Sequence, residues 1–116
     1  MVSQLSVPAT RMDFEGLGMR VGTIRKVELF PEARKPAFKL WIDFGPFGMK
    51  RSSAQITALY KAADLVGRQV ICATGLGSKR VAGFESEVLV TGFVRDDQTV
   101  VLAVPDRVIA DGSPLC

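Results

Sequence analysis

The sequence predicts an all-β protein: a small, strongly bent sheet closed into a five-stranded barrel. One short helix lies between strands three and four, and another lies near the N-terminus. Three observations predict it. Residues 37–44, AFKLWIDF, alternate with a period of two, placing Phe38, Leu40, Ile42 and Phe44 on one face and Lys39, Trp41 and Asp43 on the other. Short β-rich segments recur between Gly, Pro and Asp turn signals. A single stretch, residues 56–66, changes to helical spacing. Closing a bent sheet removes its exposed edges, and this element order is that of an OB-type barrel.

The elements follow in order. Residues 1–9 are small, polar and unpatterned, and are expected to form a flexible segment, leaving 10–116 as one domain. Thr10 is placed to cap a short helical turn through Leu17, with Phe14 and Leu17 packing inward. Gly16 and Gly18 then break it. Residues 19–29, MRVGTIRKVEL, read as a strand with β-branched residues at Val21, Thr23, Ile24 and Val27. Gly22 within it predicts a bulge or a sharp bend. FPEARKP, 30–36, is a connection, because Pro31 and Pro36 restrict pairing. After the strand at 37–44, GPFG at 45–48 turns the chain into a third strand, MKRSSA, at 49–54.

Ile56, Leu59, Tyr60, Ala63 and Val66 recur at helical spacing, with Gly67 as the stop. RQVICAT, 68–74, returns to strand, and a glycine-rich loop at 75–84 carries Lys79 and Arg80. SEVLVTGFV, 86–94, is a strand; Leu89 faces opposite to Val88 and Val90, so a subunit interface would cover it. DDQ at 96–98 turns into TVVLAV at 99–104, and Pro105-Asp106 and Asp111-Gly112 mark late loops. No repeat at solenoid spacing appears.

Composition bounds the function. The chain has 116 residues, the size of one domain, and is 47% hydrophobic, enough for one core. Its net charge of +3, from 15 basic and 12 acidic residues, is mild. The placement is more informative: basic residues pair at Arg34-Lys35, Lys50-Arg51 and Lys79-Arg80. There is no histidine, which excludes the common serine and cysteine nucleophiles and most zinc sites. Cys72 lies in an apolar strand and Cys116 is the last residue, with no CxxC motif. The two could pair, but the expectation is a core thiol plus a loose terminal thiol, which fits a reducing compartment, so the expected location is cytoplasmic. No apolar run approaches the ~18 residues of a membrane span, and the first dozen residues lack a signal-peptide core.

Glu85 and Glu87 lie two apart on one strand, not opposed as glycosidase carboxylates must be, and Asp96-Asp97 sits in a turn. A non-catalytic protein without metal or cofactor is therefore expected. The 75–83 loop holds GxG at Gly75 and Gly77, but Arg80 breaks GxGxxG, and Lys79 is not in a GxxxxGK[ST] motif. Lys79 and Arg80 read either as phosphate contacts or as a solvated basic loop. Ser52 and Ser53, following Lys50 and Arg51, either hold phosphate oxygens or satisfy local backbone groups. Gln55 reads a base edge or a peptide backbone, or makes structural hydrogen bonds. Trp41 and Phe84 are the aromatic candidates: each can stack on a base, grip an apolar side chain or simply pack.

The blocks VGTIRKVELFPEARKPAFKLWIDFG, KRSSAQIT and KRVAGFESEVLVTG closely resemble the CsaA export-related chaperone family. That family lies within the tRNA-binding domains appended to methionyl-tRNA synthetases and found in endothelial-monocyte-activating polypeptide II. The likeness covers residues 12–113. It implies an OB-fold homodimer, a cytoplasmic chaperone of unfolded or export-precursor polypeptides, and a surface similar to a tRNA-binding site. The alternative it implies is a structure-specific tRNA-binding module. By the same match, Lys79, Arg80, Gly83 and Ser86 fall on the family's basic-loop motif, and Glu87 on its SEV signature with a structural role. Ser52, Ser53 and Gln55 fall on the other signature, beside the same groove. The chain departs from the pattern at Gly75-Leu76-Gly77-Ser78, at Glu85, where relatives are often basic, and at Gly18-Met19.

Overall fold

The computed structural model describes residues 9–116. Apart from Ala9, the expectation for residues 1–9 lies outside the described residues. The first element is α1 (Arg11–Leu17). Thr10 caps it as expected: its Oγ1 accepts the Asp13 N–H at 3.1 Å, and the Asp13 carboxylate accepts the Thr10 N–H at 2.9 Å. Those two bonds from Thr10 hold the Asp13 carboxyl below its ordinary range. Gly18, at φ 59°, supplies the left-handed cap. The inward packing expected of Phe14 and Leu17 is not found: they are 37% and 38% exposed. The helix is hydrogen-bonded to the barrel at its end, where Gly75 donates to Leu17 and Thr74 to Gly18. No residue of the helix is buried.

The barrel is built from β1 (Met19–Leu29), β2 (Phe38–Asp43), β3 (Met49–Ala54), β4 (Gln69–Ala73) and β7 (Leu89–Val90), in the order β3-β2-β1-β4-β7, with every pairing antiparallel. The central strand β1 serves two partners: Met19–Thr23 pair with β4, and Thr23–Leu29 pair with β2. Gly22 is not the bulge. The register slips between Ile24 and Lys26, leaving Arg25 as the extra residue. Gly22 is required for space instead, since a Cβ there would lie 2.6 Å from Ile42 and 2.8 Å from the Phe44 ring.

The alternation in β2 is observed: Phe38, Leu40 and Ile42 are buried, while Lys39, Trp41 and Asp43 are partly exposed. With Ile24, Phe44, Ala54, Ile56, Leu65, Val70, Cys72, Val88 and Leu102 they form the barrel core. The expected helix over 56–66 shrinks to α2 (Ala62–Leu65), preceded by turns. Its buried anchor is Leu65, out of phase with the Leu59, Ala63 and Val66 face, because Ile56 has already entered the core from the end of β3. Gly67 does stop it, at φ 91°, and donates to the Ile24 carbonyl at 2.7 Å.

The basic segment is not a free loop. β5 (Lys79–Val81) and β6 (Phe84–Ser86) form a hairpin across Ala82-Gly83, with φ of 46° and 84°. Two successive positive φ values are the signature of a type I′ turn, which matches strand twist. The strand expected at 86–94 is divided between β7 and β8 (Gly92–Val94), and β8 pairs with β9 (Val100–Leu102). Leu89 is exposed and Val88 buried, so the apolar run does split between two faces. The segment after β9 straps across the end of β1. Gly112 donates to Val21, Val21 to Ser113 and Leu115 to Met19, while Gln69 clasps both backbone groups of Ile109. Asp111 accepts from Thr23 at 2.6 Å.

Candidate binding groove

The hairpin leans on the outer face of the sheet. Phe84 is buried against Phe30 and Ala37, with Ala33, Trp41 and Val81 packed around them. Its ring meets Phe30 edge-on at 5.6 Å and Trp41 at 5.7 Å. Cations cover this aromatic row. Lys26 Nζ lies 4.6 Å from the Trp41 ring, Lys39 Nζ lies 5.1 Å from Phe30, and the Arg51 guanidinium lies 5.3 Å from Phe84. Phe84, expected on a binding surface, is thus the hairpin's anchor, and Trp41 is half-buried beneath Lys26.

Two hydrogen bonds align the hairpin with β3. The Ser53 N–H donates to Ser86 Oγ at 3.1 Å, and the Arg51 N–H donates to Glu87 Oε1 at 3.0 Å. Glu87 N–H donates back to the Arg51 carbonyl at 2.7 Å. Side-chain oxygens here replace the carbonyls of a partner strand, and they close the barrel between β3 and β7. Arg51 Nε also approaches Glu87 at 3.6 Å.

Between the hairpin, the end of β3 and the 30–36 connection runs a groove of about 550 Å³. Ala33, Ala37, Val81 and Ala82 give it apolar walls; Arg34, Lys35, Ser53 and Gln55 give it polar ones. Cross-strand register sets a row beside it: Lys79 opposite Ser86, Ser86 bonded to Ser53, and Ser53 opposite Lys39. Among the described residues Arg34, Lys35, Lys39 and Lys79 form no ion pair with an acid, so this rim carries net positive charge.

Strand geometry separates the sequence neighbours. Successive strand residues point to opposite faces. Lys79 shares the inward face of the hairpin with Val81, Phe84 and Ser86, whereas Arg80 and Glu85 share the outward face. There Arg80 Nη1 and Glu85 Oε1 pair at 2.9 Å. Lys50 pairs with Ile42, on the core side of β3, so the groove does not receive it. Ser52 shares that side; it is 0% exposed and its Oγ donates to the Ser53 carbonyl at 3.3 Å, so it has no surface to offer a ligand. Gly83 serves the hairpin turn. Of the expected site residues, Ser53 and Gln55 line the groove, and Lys79, Ser86 and Trp41 flank it. Arg51 is committed to Glu87 and Phe84.

The sequence reading missed Lys39, and Arg34-Lys35 as groove residues. Lys39 was detectable, because it lies two residues from Trp41 on the same face of β2. Arg34 and Lys35 lie in a connection, where no periodicity assigns direction. Cys72 is buried and Cys116 exposed, both free, and burial pushes the Cys72 thiol up to about 12. Among the described residues no cluster of His, Cys, Asp or Glu could hold a metal, and no helix is long and apolar enough to cross a membrane.

Comparison with known proteins agrees with the fold. The family model of the putative tRNA binding domain matches residues 19–114. The crystal structure of chaperone CsaA from Bacillus anthracis str. Ames superposes with a TM-score of 0.89 at 46% identity, covering 95% of this chain and 100% of that one. The CsaA chaperone protein from Picrophilus torridus superposes at 0.87 with 42% identity, covering 94% and 100%. Among curated sequences, methionine–tRNA ligase 1 of Sorangium cellulosum is 35% identical over 102 residues, 88% of this chain and 14% of the ligase. The chain thus spans about one seventh of the length of that relative.

Proposed function

Because the chain belongs to the putative tRNA-binding domain family, and within it to the CsaA chaperones, we propose that it is a non-catalytic, dimeric chaperone of unfolded or export-precursor polypeptides in the cytoplasm. Residues 10–116 act as one domain. The observation that carries this reading is the groove. It is open at the surface, walled by small apolar side chains, and edged by Ser53, Gln55 and cations. An extended segment can bury small apolar side chains against Ala33, Ala37, Val81 and Ala82 while its backbone meets polar groups. In this reading the surface holds a chain and makes or breaks no bond.

A second copy supplies the dimer in this reading. Phe14 and Leu115 line a hollow of about 580 Å³ between α1 and the C-terminal strap, together with Arg11, Met19, Arg20 and Pro114. Leu17 and Leu76 are also exposed, and Gly75, next to Leu76, donates to the Leu17 carbonyl. Exposed apolar surface of this kind is what subunit contacts cover. Light scattering of a heat-unfolded client tests the chaperone activity: aggregation falls with one dimer per client. An unchanged aggregation curve at that ratio contradicts it.

Binding of tRNA is a second reading. It is favoured by the family's description and by Arg34, Lys35, Lys39 and Lys79 along one rim, cations without an acid partner among the described residues. It requires affinity that falls steeply with salt as phosphate contacts release counterions. Absence of binding to tRNA at low salt removes it.

A further inference from the structure

The hairpin carries a counter-ion of its own. Glu85 Oε1 sits 2.9 Å from Arg80 Nη1, and the two residues are direct cross-strand partners. Three acids neutralise cations on this side of the molecule, and they differ in what else they do. Glu87 also holds the backbone of β3. Glu28 pairs with Lys26, which lies over Trp41. The Glu85 carboxylate has no side-chain hydrogen-bond partner other than Arg80 among the described residues. The pair is solvent-exposed, with the Arg80 side chain 70% accessible, and exposed pairs contribute little to stability. The pair therefore adds little to the fold, and what Glu85 changes is the charge pattern.

We propose that Glu85 is a specificity determinant, setting the groove against polyphosphate and in favour of polypeptide. This rests on the groove being the binding surface, as argued above. The argument is geometric. An extended peptide in the groove meets the inward face of the hairpin, where Val81 and Lys79 lie, and does not touch Arg80. A folded RNA is too broad to enter; it would lie across the hairpin rim and meet both faces. Arg80 is the cation it would find on the outward face, and Glu85 cancels that charge. Lys79 is then the hairpin cation left without an acid partner among the described residues.

The test is a charge cycle on the full chain, read with two probes. Wild type, Glu85→Gln, Arg80→Ala and the double variant are titrated with mixed tRNA over a salt series, and are assayed for suppression of aggregation of heat-unfolded luciferase. Glu85→Gln frees Arg80, so tRNA affinity rises several-fold and the salt slope steepens by about one phosphate contact. Arg80→Ala alone is nearly silent, and in the double variant it returns the slope to that of wild type. Luciferase suppression is the same for all four. Unchanged tRNA affinity in Glu85→Gln overturns the proposal, as does no tRNA binding by any variant. Arg80→Ala lowering the slope in the presence of Glu85 also overturns it. If wild type leaves luciferase to aggregate, the chaperone reading fails, and the tRNA cycle still decides the role of Glu85. Circular dichroism melts confirm that each variant is folded.

Discussion

The Arg51 amide donates to the Glu87 carboxylate at 3.0 Å, and the Glu87 amide donates to the Arg51 carbonyl at 2.7 Å. The Glu87 and Ser86 side chains thus stand in for strand carbonyls where β3 meets the segment leading into β7. The same contact ties the MKRSSA segment to the SEV segment, two stretches more than thirty residues apart, as the separation of 36 shows. Ser53 of the first segment lines the groove and is bonded to Ser86 of the second, so the contacts that close the barrel lie beside the groove.

Glu87→Ala therefore leaves a part-buried amide without its acceptor. The expected cost is about 1–3 kcal/mol in urea unfolding, the usual penalty for an orphaned donor. Glu87→Gln keeps an acceptor oxygen and loses less. Equal stability of Glu87→Ala and wild type would show that closure does not depend on this bond.

Two glycines give opposite outcomes. Gly22→Ala forces a methyl group against Ile42 and Phe44, within 2.9 Å of both, and overpacking of this kind costs about 1–3 kcal/mol. Gly16 lies inside α1, and a methyl group added there would meet nothing within 4 Å, so Gly16→Ala stabilises the helix by about 0.5–1 kcal/mol. Thermal denaturation of the two variants side by side reads the contrast in sign.

The Cys72 thiol is pushed up to about 12 from an ordinary value of 9.0 by burial. Below pH 9 it is protonated in both folded and unfolded chains and adds no pH dependence. Between pH 9 and 12 the unfolded chain releases the proton and the folded chain retains it, so stability falls as pH rises. The difference between wild type and Cys72→Ala should change by up to about 1.4 kcal/mol per pH unit in that window. At neutral pH a thiol reagent should modify Cys72 only after unfolding.

Phe14→Glu places a charge in the hollow between α1 and the C-terminal strap. If two chains pair through this hollow as proposed, the wild-type sedimentation mass should be that of a dimer and the variant's that of one chain of 12.6 kDa, with the barrel's circular dichroism unchanged. A variant that stays dimeric locates the interface elsewhere, with the exposed Phe93 and Val94 as the next surface to test.

What the sequence made legible follows from how local each signal is. The alternation of Phe38 to Phe44 marked β2, Thr10 marked the cap of α1, and MKRSSA gave β3 to the residue. The errors arose where distant contacts decide. Helical spacing over 56–66 was overridden by Ile56 entering the core from the end of β3. The β5–β6 hairpin was hidden because Ala82, a poor residue for positive φ, precedes Gly83 in its turn. Lys79 and Arg80 read as one basic unit in the sequence, yet pairing with Ser86 and Glu85 sends them to opposite faces. The groove itself is assembled from three separate segments, and no local pattern reports such an assembly.

Site-specific photocrosslinking tests the central claim most directly. A photoreactive residue placed at Gln55, on the groove wall, should capture a heat-unfolded client, while one at Thr99, in the turn between β8 and β9, should not. Capture at Thr99 equal to that at Gln55, or none at either position while the protein suppresses aggregation, would contradict the assignment of the groove as the surface that holds the chain.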